Sequence, residues 1–447
     1  MEILEEDELE ELVIPIWHTE LEGLRLHVVL RWSIVVFLLA GFILSVLSLF
    51  SGVLSRTENN LRALKIWVVD FDGSMSPYDD IEPIIGPIIT DIIMEDFSSA
   101  RQSPTLIQCT PHSFQNDSMA VRQAVYEEQV YAAVIINANA TSSLQAAVTS
   151  GSPSYDPLGI AQIVYNSARD ENTYYAYIIP TLFQLQTKVI TKFGPRWIEM
   201  MRSNGSLNDP RIPTQALSPS IGFTEIDLRP FSPAVVTPSV SIGLIYLIII
   251  AYFAFPFLMP IHNRLNNKRQ GRPVKASHML LWRLMSNFVA YFILSFFYSL
   301  IPLAFGIPFS NPRGSTTEVI MNGNEYGKSS FVVYWMLNWV GMTALGLPSE
   351  NMAMIIGAPW SALWLTFWVI SNVSTGFYPL DLAPGFYKWG YIWPLHRVVE
   401  GSRTILFGTH SRIGLDFGVL FGWVGVSILL FPFAAAIADW KAVSKKK

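Results

Sequence analysis

Three clusters of residues in this chain have types and spacings that could do chemistry. The first, Val68-Val69-Asp70-Phe71-Asp72-Gly73-Ser74, sets two carboxylates one residue apart at the end of an apolar run. Carboxylates so placed are candidate nucleophiles and candidate magnesium ligands. The plainer reading is an Asx-type turn after an edge strand, with Gly73 in the left-handed position. The second, Gly323-Asn324-Glu325-Tyr326-Gly327-Lys328-Ser329, has the residue order of a phosphate-cradling loop. Such a loop has four residues between its glycines, however, whereas this one has three, and no apolar strand precedes it. The third gathers Tyr378, Phe386, Tyr387, Trp389, Tyr391 and Trp393 around Lys388, Pro394, His396 and Arg397. That mixture suits the water–lipid boundary. Glu400 and Arg403 follow, three apart on one helical face and expected to pair. Trp389, Trp393, Glu400 and Arg403 are therefore candidates for an interfacial gate or lipid-contact surface, the plainer alternative being an aromatic belt that anchors a re-entrant segment.

The Asp70 motif looks like the first motif of the haloacid-dehalogenase phosphatases, in which the first aspartate attacks phosphate and both help to hold magnesium. That family also needs a hydroxyl residue ending a second strand, a lysine and a further acidic pair. Asp79-Asp80 comes too soon, and no partners are recognisable in the sequence. No catalytic, cofactor-binding or metal-binding residue is assigned, and no cofactor is expected. The chain is expected not to be an enzyme, with an external aspartate-based phosphatase as a remote alternative. Without a nucleotide fold, any pumping needs a partner or a gradient.

The elements that must position these residues follow from composition. Of 447 residues, 51% are hydrophobic and only 15% charged, against about 25% in an ordinary soluble protein. Mean hydropathy is positive. The 35 acidic residues outnumber the 30 basic ones, and no dense Lys/Arg stripe lies outside the membrane flanks, which argues against nucleic-acid binding. A single cysteine, Cys109, excludes an intrachain disulfide and reads as a small buried residue; no Cys/His cluster has zinc spacing.

A bilayer core needs about 20 largely apolar residues per helix. Six charge-free gaps qualify: residues 32–55, 230–261, 284–312, 329–349, 351–380 and 417–438. No helix centre so delimited carries an ionisable residue, which argues against a proton-coupled relay. Pro256, Pro260, Pro302 and Pro359 are expected to kink helices. A seventh gap, 129–155, turns rich in Asn, Ser, Thr and Gly and reads as soluble structure. The first span follows the acidic run Glu5 to Glu11 and not a basic region, so it reads as an uncleaved anchor. Arg264, Lys268, Arg269, Arg272 and Lys275 after the second span, and Lys441 with Lys445 to Lys447 after the sixth, predict both termini in the cytoplasm. Sequons at Asn116, Asn139 and Asn204 all fall in the segment this leaves outside and are glycosylation candidates.

The predicted fold is thus a multi-pass α-helical membrane protein, six transmembrane helices in a one-plus-five layout, with an α/β extracytoplasmic domain between helices one and two. Residues 1–28 form an acidic cytoplasmic tail, 29–55 the first span, 56–203 the α/β domain, 204–238 a linker, 239–440 a five-helix membrane domain, and 441–447 a basic cytoplasmic tail. Residues 64–70 and 130–136 read as adjacent strands, 160–166 as another, and 84–94 and 175–200 as helices, with Pro180 starting or interrupting the last. Residues 381–412 read as a re-entrant or interfacial element broken at Pro384 and Pro394. Within it Val398, Ile405 and Leu406 are expected to face neighbours, with Glu400 and Arg403 on the wetter side.

This layout resembles the type-two permeases of ATP-binding-cassette exporters and the bacterial phage-infection proteins. More narrowly, Val69-Asp70-Phe71-Asp72-Gly73, Ala133 to Thr141 (AVIINANAT), Ala168-Arg169-Asp170-Glu171 and Phe386-Tyr387-Lys388-Trp389-Gly390-Tyr391 resemble the fungal nitrosoguanidine-resistance membrane protein family. The resemblance implies a fungal membrane protein linked to drug resistance and to lipid distribution across the bilayer. The expected function is permease-like, affecting export or transbilayer distribution of amphipathic drugs or lipids, at the plasma membrane. The alternative is a non-transporting scaffold or regulator whose external domain binds a partner. Expected partners are membrane lipids, a second copy of the chain, or a separate ATPase or other membrane protein.

Overall fold

The computed structural model describes residues 15–97, 102–266, 274–309 and 326–444. The acidic run, Lys268, Arg269, Arg272, Lys445 to Lys447, and Gly323 to Glu325 of the glycine loop lie outside them. The described chain forms two units, divided between Ser51 and Gly52.

The first unit is helical. Arg25 donates to the carbonyls of Ile16 (2.8 Å) and His18 (3.0 Å) at the entry to α1, Glu22–Phe42. A π-helical turn, Ile43–Leu47, follows. From Val28 to Leu44 the helix is apolar on every side apart from Arg31 and Ser33, the composition of a membrane span.

The second unit opens on a five-stranded sheet. Its strands are β1 (Lys65–Asp70), β2 (Thr105–Cys109), β3 (Ala132–Ile136), β4 (Ala161–Tyr165) and β5 (Phe223–Asp227), in the order β2-β1-β3-β4-β5. β1 pairs parallel with β2 and β3, β3 antiparallel with β4, and β4 parallel with β5. The segments 64–70 and 130–136, apolar at nearly every position, are thus neighbours as expected, and both are covered on two faces. β1 is internal and not an edge strand. Alternation sends Ile66 and Val68 to one face and Val69 to the other. The first face is covered by α2 (Ile85–Phe97), α4 (Ala140–Ser150) and α5 (Ile179–Ser203), and the second by α3 (Ser118–Tyr126). Pro180 does not start a helix: it lies just past a π-helical turn, Tyr174–Ile178, that runs without a break into α5, and a π-turn is where an irregular backbone bond is accommodated. Cys109 is half-buried at the end of β2, not enclosed. Within residues 204–238, expected to be a linker, Phe223–Asp227 form the edge strand β5.

Helices α6 (Ile245–Asn263), α7 (Ala276–Ala304), α8 (Ser330–Ile356), α9 (Ser361–Gly376), α10 (Pro394–Phe407) and α11 (Ile413–Ser444) complete the unit. Across the described chain, five segments are long and apolar enough to cross a membrane: Thr19–Ala63, Ala234–Asn263, Ala276–Ala304, Gly327–Ile356 and Ile413–Ser444. The expected span at 351–380 is replaced by α9, whose 16 residues reach about 24 Å, short of a hydrocarbon core of about 30 Å.

Two charges account for that difference. Glu350 does not end a helix; α8 continues through it to Ile356, and Arg283 likewise lies inside α7. Arg283 Nη2 donates to Glu350 Oε1 at 2.5 Å, and Asn287 donates to the other carboxylate oxygen. Asp416, in the first turn of α11, is fully buried as well. These charges lie toward the ends of α7, α8 and α11 and not at their centres, and they are met by opposite charges on neighbouring helices, so a gap-based reading divides a helix at a residue that its partner permits. Pro256 and Pro260 lie within α6 and Pro302 within α7, but Pro359 lies between α8 and α9.

Candidate functional site

Two pairs of the sequence signatures meet in space. The first meeting is at the carboxyl end of β1. Asp70 Oδ1 accepts the Asp72 N–H at 3.0 Å, an Asx turn, and Gly73 adopts φ 65°. Asp72 accepts from Gly86 N (2.9 Å), Thr141 N (2.8 Å) and Thr141 Oγ1 (2.5 Å). Thr141 Oγ1 in turn accepts the N–H groups of Ile84 and Ile85, each at 2.9 Å. Thr141, the second residue of α4, is the hydroxyl residue that meets the Asp70 to Gly73 turn. It and Asp72 fasten the starts of α2 and α4 to the β1 turn, which satisfies orphan N–H groups at both helix starts. Burial, helped by the neighbouring Asp72 charge, raises Asp70 to about 6 against the lowering effect of the Asp72 N–H. A Cβ on Gly86 would lie 2.1 Å from Asp70 Oδ1, so only glycine allows α2 to start here. Among the described residues no three His, Cys, Asp or Glu side chains converge as a metal site.

The second meeting forms a cavity of about 300 Å³ where the sheet domain adjoins α10. Its walls come from Tyr131, Arg169 and Asp170 on the sheet side, from Asp381 and Tyr391, and from Glu400, Arg403 and Arg412. The Arg169 guanidinium lies 3.9 Å from the Tyr131 ring centroid, donates to Val130 O (3.2 Å), and is 4.0 Å from Asp381. Asp381 also accepts from Tyr131 Oη (2.6 Å) and Tyr391 Oη (3.1 Å). Burial pushes the Tyr131 hydroxyl well above its usual range and raises Asp170, although the Arg403 charge and the Thr173 hydroxyl pull Asp170 down.

The expected pairing of Glu400 with Arg403 is not made. Arg403 donates to Ala168 O (2.9 Å) and to the Glu171 carboxylate on the sheet side. Glu400 instead binds Arg397 at 2.6 Å and faces His396 Nε2 at 3.4 Å, while His396 Nδ1 meets Thr375 O at 3.0 Å. Burial would raise Glu400, but the His396 contact and the charges of Arg397 and Arg412 outweigh it and hold the carboxyl below its usual range. Arg403 is buried, not on a wetter side, because the sheet domain covers that face of α10. Val398, Ile405 and Leu406 are buried as expected. The 381–412 element is divided as its prolines predict: a 3-10 helix at Gly385–Ile392, then α10 starting on Pro394.

Trp389 and Trp393 lie elsewhere. Trp393 is 4.7 Å from Trp389, 5.6 Å from Trp368 and 5.3 Å from Trp423 between ring centroids, and donates to Ser371 Oγ at 3.2 Å. The four gate candidates thus separate into a charged latch and an aromatic stack. Glu171, Arg169 and Asp381 were not recognised as site residues, although the first two stand in the quoted Ala168 to Glu171 signature. Of the sequons, Asn116 and Asn204 are exposed, whereas Asn139 is half-buried at the start of α4.

No solved structure matches the chain. An uncharacterized endoplasmic reticulum membrane protein of Saccharomyces cerevisiae is 24% identical over 444 residues, 95% of this chain and 83% of that one. The family described as "Protein of unknown function (DUF3533)" matches residues 35–429. With most of its length matched, its membrane-length helices and its mixed sheet, the chain is a multi-pass membrane protein that belongs to the DUF3533 family.

Proposed function

We propose that this protein is permease-like and moves amphipathic molecules, drugs or lipids, out of or across a bilayer. The observation that carries the reading is the buried latch. Arg403 and Glu171 tie the sheet domain to α10, which packs between membrane-length helices α8 and α11, so that a ligand-induced shift in the sheet domain has a stiff route into the membrane. The cavity beside the latch offers both signs of charge and aromatic faces, suited to a polar head. The resemblance to type-two permeases and to the nitrosoguanidine-resistance proteins points the same way, as analogy. The yeast relative's name points to the endoplasmic reticulum membrane for this chain in place of the plasma membrane; the basic flanks after the second and sixth expected spans would then put the sheet domain in the lumen.

The test is reconstitution of the full chain into liposomes with fluorescent lipid and drug substrates, with and without candidate ATPase partners. Movement above the protein-free rate supports the reading, and movement at that rate under every condition refutes it. A scaffold or regulator that binds a partner is the second reading. It is favoured by the internal pairing of most charges around the cavity, as a structural junction would have. Co-purification of a stoichiometric partner without transport would select it.

A further inference from the structure

Helix α7 is amphipathic in an inverted sense. Leu281, Met285, Val289, Ile293, Phe297 and Ile301, four apart, are exposed. Arg283, Asn287, Tyr291, Ser295 and Ser299, also four apart, are buried against the bundle. At about 1.5 Å per residue the polar stripe runs about 24 Å, most of a hydrocarbon core of about 30 Å. Helix α8 supplies its facing groups: Glu350 to Arg283 and Asn287 at one end, and Asn338, whose amide donates to Ser299 Oγ at 3.0 Å, toward the other. Between them Tyr291 fits the notch left by Gly346, where a Cβ would come within 2.5 Å of the Tyr291 hydroxyl, and donates to Ala251 O at 3.2 Å.

Helix-to-helix adhesion accounts for the serines, since small polar residues let helices approach closely. It does not account for the ionic end, because apolar side chains of similar volume hold helices together as well as a buried ion pair does. Nor does it account for two nearly inaccessible polar atoms without partners, Arg283 Nε and Asn338 Oδ1, set at the two ends of the stripe.

We propose that the α7–α8 seam is the path of a zwitterionic phospholipid headgroup. This rests on the permease-like reading and names its substrate class. When α7 parts from α8, the stripe becomes a polar groove open sideways to lipid. Arg283 then exchanges Glu350 for the headgroup phosphate, the Glu350 carboxylate faces the ammonium, and the Asn338 Oδ1 dipole attracts that same positive charge farther along. The acyl chains stay in the bilayer beside the outward apolar stripe.

The experiment uses the full chain with Cys109→Ser, Ser299→Cys and Asn338→Cys, reconstituted in phosphatidylcholine vesicles holding a trace of short-chain fluorescent phosphatidylcholine, with albumin back-extraction reporting transbilayer movement. Bridging the two cysteines with a short reducible bis-thiosulfonate should slow movement by about tenfold or more, equivalent to about 1.4 kcal/mol at the barrier. Reductant should restore it. Unchanged movement in the bridged protein overturns the seam while leaving the permease reading intact; no movement in the wild type removes that reading and the headgroup path with it. A second variant, Ser295→Val with Ser299→Val, decides the matter where bridging is incomplete. It keeps the helix folded, verified by an unchanged thermal midpoint, and should move lipid at least about fivefold more slowly, about 1 kcal/mol. An undiminished rate in that variant also overturns the seam.

Discussion

Arg403→Ala should destabilise the second unit more than any other single substitution at the junction. The Arg403 and Glu171 side chains retain 8% and 11% of their exposure, so removing the guanidinium leaves a carboxylate enclosed without its counter-charge. Breaking a buried pair from one side costs about 3–5 kcal/mol. The lost bond to Ala168 O, about 1 kcal/mol by itself, falls within that range. Glu171→Gln, which keeps an acceptor toward Arg403, should cost less than Arg403→Ala, and Arg403→Met with Glu171→Met should cost less than the sum of the single changes. The measurement is denaturant unfolding of the detergent-solubilised chain followed by tryptophan fluorescence, with the variants arranged as a double-mutant cycle. The Trp389, Trp393, Trp368 and Trp423 stack adjoins the start of α10 and reports release of that helix. A loss below about 1 kcal/mol for Arg403→Ala, or strict additivity in the cycle, would show that the pair is solvated and that the latch does not couple the two parts.

Three further outcomes are expected. Asp70→Asn should stabilise the sheet domain at neutral pH: the folded carboxyl titrates near 6 and the unfolded one near 3.8, so the folded state binds the proton more tightly and stability falls as pH rises from about 4 to about 6. The gain, on the order of 1–3 kcal/mol at pH 7, should vanish below pH 4, and a pH-independent effect would contradict the shift. Gly86→Ala should lower stability by about 1–3 kcal/mol, because its Cβ meets the Asp70 carboxylate and the α2 start must move; thermal unfolding with and without Asp70→Ala tells whether that contact is the cause. In a eukaryotic host, with the sheet domain lumenal, single-site Asn→Gln variants assayed by glycosidase shift should find glycan at Asn116 and Asn204. Asn139, half-buried beside the Asp72–Thr141 contact, should stay bare.

What the sequence determined by itself are the features with local causes. A bilayer demands about 20 apolar residues in succession, and a strand covered on both faces demands an unbroken apolar run, so the membrane-length helices and the strands β1 and β3 can be read without knowing their neighbours. The breaks at Pro384 and Pro394 are local in the same way. β2 and β5 are not, since each is a sheet edge with a single buried position and acquires its identity only from the strand beside it. The polar contacts that join separate elements are decided at long range: Asp72 with Thr141 across 69 residues, Arg283 with Glu350 across 67, and Arg403 with Glu171 across 232. The sequence shows Glu350 as a charge that ought to end a span and Arg403 as a neighbour of Glu400. Only the tertiary structure supplies the opposite charge that lets α8 continue through the first and draws the second to the sheet domain, because a buried ion is tolerated only where a partner meets it, and chain folding alone brings that partner there.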